Sequence, residues 1–160
     1  MRLTSAGTHT FTLVVSQYEK QNTINYTLRV NGQWKGLTSG GCGNYKDSYK
    51  HNPIYQINME RAGPLLIELR GSRQYSVGFE MVTVSMVGDP GPASFQKKNS
   101  GDYRYSLESE HLNCGFCYME AELVPAGLYN VIPTTFLPKQ EGPFFLDFSS
   151  TSALKVSQLQ

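Results

Sequence analysis

Cys42, His51 and Asn52 lie close together in the chain, and their residue types are those of a thiol-dependent hydrolytic centre. Such catalysis needs a thiolate, a histidine base and a third group that orients the histidine. Cys42, however, stands between two glycines, and the local sequence signature of a cysteine nucleophile is absent around it. We therefore expect Cys42 to pack as a small apolar residue and the chain to lack a catalytic centre of its own.

A second cluster has the spacing His-x-x-Cys-x-x-Cys, formed by His111, Cys114 and Cys117, which is typical of zinc ligands. Residues three apart in an extended strand point to opposite faces, so the two thiols would converge only through a turn. A structural zinc site also needs a fourth ligand, and the other residues of suitable type are Cys42, His9 and His51. The favoured interpretation is a loop end followed by a buried strand cysteine, without a metal.

Calcium needs about six to eight oxygen ligands, several of them from clustered carboxylates. The aspartates are Asp47, Asp89, Asp102 and Asp147, and no acidic run occurs in the sequence. Asp89 and Asp102 flank the same polar stretch, but they are too few to form a site alone. We expect a function that is independent of calcium and of any other cofactor.

Basic residues occur in small groups rather than in one long run. The groups are Arg70 with Arg73, Lys97 and Lys98 with Arg104, and Lys46 with Lys50. Each cation near an anionic leaflet could contribute about 1 kcal/mol. The 14 basic and 13 acidic side chains leave a net charge of +1, which does not favour a general attraction to nucleic acid or membrane. Weak membrane contact stays an alternative, and nucleic-acid binding is not expected.

The surrounding chain has the composition of an all-β protein. Its 160 residues suit one domain over residues 1–160, and 15 glycines and eight prolines divide it into short apolar runs. Three cysteines are an odd number, so a disulfide framework is not expected and a reduced, intracellular setting fits better. No apolar run approaches the roughly 20 residues of a membrane span, and residues 1–5 lack the apolar stretch of a signal peptide.

Alternation of apolar and polar residues predicts eight or nine strands and an antiparallel β-sandwich. Asn31-Gly32 predicts a tight hairpin turn. A change of apolar face within Tyr75–Val87 predicts either a β-bulge or a strand buried on both sides, and the polar stretch near residues 88–113 predicts a long surface loop. The predicted strands are Phe11–Val15, Ile24–Val30, Tyr55–Met59, Leu65–Leu69, Tyr75–Val87, Phe116–Leu123, Leu128–Ile132, Phe144–Phe148 and Leu154–Leu159.

Three segments of the sequence carry motifs that occur together in one known domain family. The segments are Trp34-Lys35-Gly36 with Gly40-Gly41-Cys42 and Asn52-Pro53-Ile54-Tyr55; Val77-Gly78-Phe79-Glu80; and Gly127-Leu128-Tyr129 with Ile132–Phe136 and Pro138–Phe144. They resemble the C2-like β-sandwich domain that follows the protease core in calpains, especially in the PalB-type atypical calpains, where two such domains end the chain. The segments lie in the family's order and cover most of residues 34–148. The family usually carries a further strand and loop between Val30 and Trp34, so we expect a shortened junction there.

The resemblance implies a non-catalytic accessory domain of an intracellular, calpain-type cysteine endopeptidase. Such a domain would brace the protease core or a neighbouring sandwich, or present loops to another protein. The alternative is a calcium-independent peripheral phospholipid-binding module. We expect a monomer in the cytoplasm, with nuclear or endosomal association through the parent protein as a further option. The candidate contact residues are basic (Arg70, Arg73, Lys97, Lys98) or aromatic and expected to be exposed (Tyr45, Tyr49, Phe95, Phe136).

Overall fold

The computed structural model describes residues 26–87, 98–101 and 115–160, and only the backbone of 98–101. These residues form strands and two short helical segments, a 3-10 helix at Gly36–Thr38 and α1 at Lys46–Tyr49. None of the helices in these ranges is long and apolar enough to cross a membrane. The strands are β1 Tyr26–Trp34, β2 Tyr55–Met59, β3 Gly63–Arg70, β4 Val77–Met86, β5 Lys98–Gly101, β6 Phe116–Val124, β7 Gly127–Thr135, β8 Gly142–Ser150 and β9 Leu154–Gln158.

The strands form two antiparallel sheets. The first, called sheet A, has the order β1-β8-β3-β6, and the second, sheet B, has the order β5-β4-β7-β2-β9. Every recorded strand pair is antiparallel. Strands that follow one another in the chain often lie in different sheets, so each sheet depends on contacts between distant parts of the sequence. The predicted all-β sandwich is confirmed.

Alternating burial explains why the apolar side chains form one core. In β2, Tyr55, Ile57 and Met59 are buried while Gln56 and Asn58 are partly exposed. The other strands repeat the pattern, because successive side chains of a strand point to opposite faces. The largest fully buried side chains of the core are Trp34, Tyr55, Phe79, Tyr129, Phe144 and Phe148. Burial of these rings between the sheets contributes to the hydrophobic stabilisation of the fold.

The predicted hairpin turn at Asn31-Gly32 is wrong, because both residues lie inside β1. Asn31 pairs with Phe145 and Gly32 with Phe144 on β8. A Cβ atom at Gly32 would overlap the Phe144 ring and lie 2.6 Å from the Tyr55 hydroxyl oxygen. Glycine is therefore required here for a close approach of core aromatics and not for a turn.

Of the two alternatives predicted for Tyr75–Val87, the bulge is present, in β4. The pairing of β4 with β7 shifts register between Thr83 and Ser85. Val84 is consequently exposed, and Met86 returns to pack against the core. An extra residue on one strand of an antiparallel pair produces this change of face.

One strand was not predicted. β5, at Lys98–Gly101, pairs with β4 inside the stretch that the sequence favours as a loop. Its sequence contains no apolar alternation, and it lies at the edge of sheet B. The remainder of residues 88–113 and the predicted strand Phe11–Val15 lie outside the described residues, so those predictions stay untested.

Candidate interaction surface

The outward side chains of sheet A form a cluster of aromatic and charged groups. Because Phe144, Leu146 and Phe148 of β8 point into the core, Phe145 and Asp147 must point outward. The same alternation applies to the three other strands of sheet A. We call this cluster the aromatic–arginine face; it consists of Arg29, Glu68, Arg70, Phe116, Tyr118, Phe145 and Asp147.

Strand register places these side chains in two rows across the sheet. Arg70 of β3 pairs with Phe145 of β8 on one side and with Phe116 of β6 on the other. It therefore lies between two phenylalanines. In the next row, Glu68 of β3 pairs with Asp147 and with Tyr118. Side chains directly opposite each other in antiparallel strands are close enough to interact.

Three aromatic residues of the face are exposed to solvent. The exposed fractions are 37% for Phe116, 47% for Tyr118 and 43% for Phe145. The Phe116 and Tyr118 rings stack, with centroids 6.1 Å apart and an angle of 27° between the ring planes. Clustered exposed rings are more informative than scattered apolar residues, because contiguous apolar surface commonly marks an interaction site.

Arg29 forms an ion pair with Asp147. Its Nε and Nη2 atoms donate hydrogen bonds of 2.7 Å each to the two carboxylate oxygens. The hydrogen bond and the charge of Asp147 raise the pKa of Arg29. The guanidinium also lies 5.5 Å from the centroid of the Phe145 ring. This bidentate pair covers the Asp147 carboxylate, which is almost fully buried, and it fixes one edge of the face.

Arg70 has a different environment. Its guanidinium carbon lies 5.7 Å from the centroid of the Phe116 ring. Nη2 donates a 3.0 Å hydrogen bond to Oε1 of Glu68. The side chain is 48% exposed. Arg70 thus presents a positive charge to solvent beside exposed aromatic rings.

A shallow depression lies at one end of the outer surface of sheet A. Its volume is 390 Å³, and its lining includes Leu66, Glu120, Glu122 and Ser149. Glu120 pairs with Leu66, one row beyond Glu68. The depression therefore extends the aromatic–arginine face toward an acidic end.

The basic candidate residues lie in different elements of the structure. Arg70 is the last residue of β3 and not part of a turn, whereas Arg73 is exposed in the connection to β4. Lys98 is the first residue of β5, and only its backbone is described. Lys97 and Phe95 lie outside the described residues. Arg70 thus precedes the connection that contains Arg73, and a joint role of the two arginines in binding stays a prediction.

The aromatic candidates Tyr45, Tyr49 and Phe136 are half-buried, so the expectation that they are exposed is wrong. The Tyr49 hydroxyl donates a hydrogen bond to the carboxylate of Glu80. The Phe136 backbone accepts a 3.2 Å hydrogen bond from Cys42 N. These contacts hold the loops at one end of the sandwich.

The residues of the thiol-centre pattern have structural roles. Cys42 is buried. The Asn52 amide is also buried; its Oδ1 accepts from Gly40 N at 3.0 Å, and its Nδ2 donates to Gly41 O at 2.8 Å and to Tyr49 O at 2.9 Å. The amide therefore ties together the two ends of the loop and is not available to orient a histidine.

Within residues 26–87, 98–101 and 115–160, no three His, Cys, Asp or Glu side chains lie together in a way that could hold a metal ion. Cys117 is buried in the core from β6. His111 and Cys114, the other members of the predicted half-site, lie outside the described residues, as do Asp89 and Asp102. Asp147 is held by Arg29.

Sequence reasoning missed most of the aromatic–arginine face. One signal was available: Phe145 stands between Phe144 and Leu146, so an apolar residue must occupy an outward position of that strand. The proximity of Phe145 to Arg70 depends on pairing between distant strands, which a single sequence does not reveal.

Comparisons with known proteins agree with the architecture. The family model of the calpain large subunit, domain III, matches residues 30–148. The chain is 60% identical to calpain-7 of Sus scrofa and 58% identical to calpain-7 of Homo sapiens, in each case over an alignment of 181 residues that covers all of this chain and 21% of the relative. It is 26% identical to the calpain-2 catalytic subunit of Gallus gallus over 157 residues, covering 84% of this chain and 22% of the relative.

The chain thus spans about one fifth of the length of these curated relatives. The alignments with the calpain-7 proteins are longer than the 160 residues present here, so those relatives carry residues without a counterpart in this chain. The predicted site of the shortening, between Val30 and Trp34, stays a prediction. In the structure, β1 runs without interruption through this junction to Trp34.

Proposed function

Since this chain belongs to the calpain large-subunit domain III family, we propose that it acts as a non-catalytic accessory domain of an intracellular calpain-type cysteine protease. It would bind the protease core or a neighbouring sandwich domain through protein–protein contacts. The observation that carries this proposal is the aromatic–arginine face of sheet A, with exposed Tyr118 and Phe145 beside Arg70.

The composition of this face supports a protein partner. Aromatic residues and arginine are enriched at protein interfaces, and they dominate the residues whose truncation weakens binding most. The face lies on paired strands, so its side chains are presented by a rigid sheet and not by loops. Little backbone conformational freedom is then lost on binding, which favours association.

A peripheral phospholipid-binding role is the second candidate, and a different surface supports it. Leu37 is 78% exposed in the segment that follows Lys35, and Leu137 is exposed close to Lys139. The two loops are adjacent, because Lys139 N donates a 2.8 Å hydrogen bond to Ser39 O. Exposed leucines beside lysines suit a membrane interface, where apolar groups and cations both contribute.

Titration calorimetry distinguishes the two roles. The 160-residue chain is titrated with the protease region proposed to lie on the same polypeptide, and separately with phosphatidylcholine–phosphatidylserine vesicles. We expect binding to the protease region that persists at moderate salt and is weakened by Tyr118→Ala or Phe145→Ala. Val84→Ala is the matched control, since Val84 is similarly exposed but lies on sheet B.

The opposite result would replace the proposal by the second candidate. That result is salt-sensitive vesicle binding that Leu37→Ala and Leu137→Ala abolish, with no association with the protease region. Salt would weaken such binding because exposed charges are screened over about 8 Å at physiological ionic strength.

A further inference from the structure

We infer that the aromatic–arginine face binds a polypeptide segment carrying a carboxylate flanked by apolar side chains, with the carboxylate received by Arg70. This inference rests on the proposed function, because it specifies the chemistry of the protein partner. The apolar side chains of that segment would lie over the exposed rings of Tyr118 and Phe145.

The hydrogen-bond donors of the two arginines differ in availability. A guanidinium has five N–H donors in a planar fork that matches a carboxylate. Arg29 directs two of its nitrogens at Asp147. Within the described part of the chain, the recorded hydrogen bond of the Arg70 guanidinium is the single one from Nη2 to Glu68. Arg70 therefore retains donors for an incoming carboxylate.

Neighbouring rings favour such a contact at Arg70. The guanidinium lies over Phe116, and the paired position on the other side is Phe145. The rings limit the orientations of the guanidinium, so less rotational freedom is lost when it binds. The apolar side chains of a bound segment would exclude water from the contact, and a charge-assisted hydrogen bond is stronger where water is excluded.

The charges around Arg70 select a single carboxylate over an extended anionic surface. Arg29 and Arg70 are accompanied by four acidic residues on the outer side of sheet A, namely Glu68, Glu120, Glu122 and Asp147. A membrane rich in anionic lipids would bring many negative charges against these acids, at a cost in repulsion. An isolated carboxylate can approach Arg70 while the rest of the segment contacts rings.

The test uses two short blocked peptides of leucine, one with a single central glutamate and one with a single central lysine in the same position. Binding is followed by NMR through the Nε–Hε signals of the arginines and the backbone amides of sheet A. We expect the acidic peptide to shift the Arg70 Nε–Hε signal and the amides of Tyr118 and Phe145, and to bind more tightly than the basic peptide.

Variants locate the carboxylate contact. Arg70→Gln should weaken binding of the acidic peptide about tenfold, the loss expected for one charged hydrogen-bond partner. Arg73→Gln changes net charge equally and should leave affinity unchanged, because Arg73 is exposed outside the face. Arg70→Lys should restore binding only in part, since lysine keeps the charge but not the planar fork. Unfolding curves of the variants establish that each is folded.

Equal effects of Arg70→Gln and Arg73→Gln, or equal binding of the two peptides, would overturn the inference. Binding to phosphatidylserine vesicles that Arg70→Gln abolishes would overturn it as well. The proposed function is tested separately: association with the protease region that is insensitive to Arg70→Gln removes the inference and leaves the function. Peptide binding without association with the protease region would remove the proposed function and leave the peptide-binding chemistry of the face.

Discussion

Nε1 of Trp34 donates a hydrogen bond to the carbonyl oxygen of Pro133 at 3.1 Å. The bond crosses the core, because Trp34 ends the edge strand β1 of sheet A and Pro133 lies in β7 of sheet B. The indole ring is fully buried, with its centroid 4.5 Å from that of Phe144. One side chain thus combines packing and a polar contact between the two sheets.

Trp34→Phe should lower the free energy of unfolding by about 2–4 kcal/mol. The change removes ring volume from a closed core and leaves the Pro133 carbonyl without this donor. Urea unfolding followed by circular dichroism measures the loss. Leu37→Ala is the control, because Leu37 is mostly exposed and should change stability by less than about 0.5 kcal/mol. A loss below about 1 kcal/mol for Trp34→Phe would contradict this role.

Gly32→Ala should destabilise the sandwich by about 1–3 kcal/mol or more. The added methyl group would overlap the Phe144 ring, and a filled core can accept it only by moving. Combining the change with Phe144→Leu should recover part of the loss, since the smaller side chain relieves the overlap. Gly43→Ala is the matched control, because the nearest atom to its added Cβ is 3.4 Å away. Equal stability of the two alanine variants would refute the argument.

Gly32 also shows where sequence reasoning about the fold succeeds and where it stops. The alternation at Tyr55–Met59 was sufficient to predict β2, because burial on one face leaves a pattern in the chain itself. The prediction for Asn31-Gly32 was wrong, because the sequence does not distinguish a glycine required for close packing from a glycine required for a turn. Lys98–Gly101 was missed because this edge strand carries no apolar pattern.

Less of the candidate site was predictable than of the fold. Arg70 was selected for its charge, but its neighbours Phe116 and Phe145 are about 46 and 75 residues later in the chain. Their proximity depends on strand order and register. The selection of Tyr49 as an exposed ring was wrong because its hydroxyl is held by Glu80, a contact between distant segments.

The domain should lose stability in alkali as the buried tyrosines ionise. Burial raises the pKa of Tyr129 to about 12 and also raises that of Tyr55. The ordinary value in an unfolded chain is about 10, so folding favours the neutral phenol. This contribution is complete below about pH 10 and is lost as the pH rises toward about 12.

Tyr129→Phe is the corresponding variant. It should lower stability at neutral pH by about 1 kcal/mol, because the 2.7 Å hydrogen bond to Pro125 O is lost. It should also reduce the decline between about pH 10 and pH 12, which urea unfolding at fixed pH values measures. An alkaline decline as steep as that of the unmodified chain would show that Tyr129 is not its source.

Hydrogen exchange with mass spectrometry tests most directly whether the aromatic–arginine face is the contact surface of this domain. The 160-residue chain is compared alone and with the protease region proposed to lie on the same polypeptide. Our account predicts slower exchange in the peptides that contain β6, β8 and the end of β3, including Arg70. The effect should disappear in Tyr118→Ala and persist in Val84→Ala. Protection confined to β2 and β9 of sheet B, or protection that Tyr118→Ala leaves unchanged, would contradict the account.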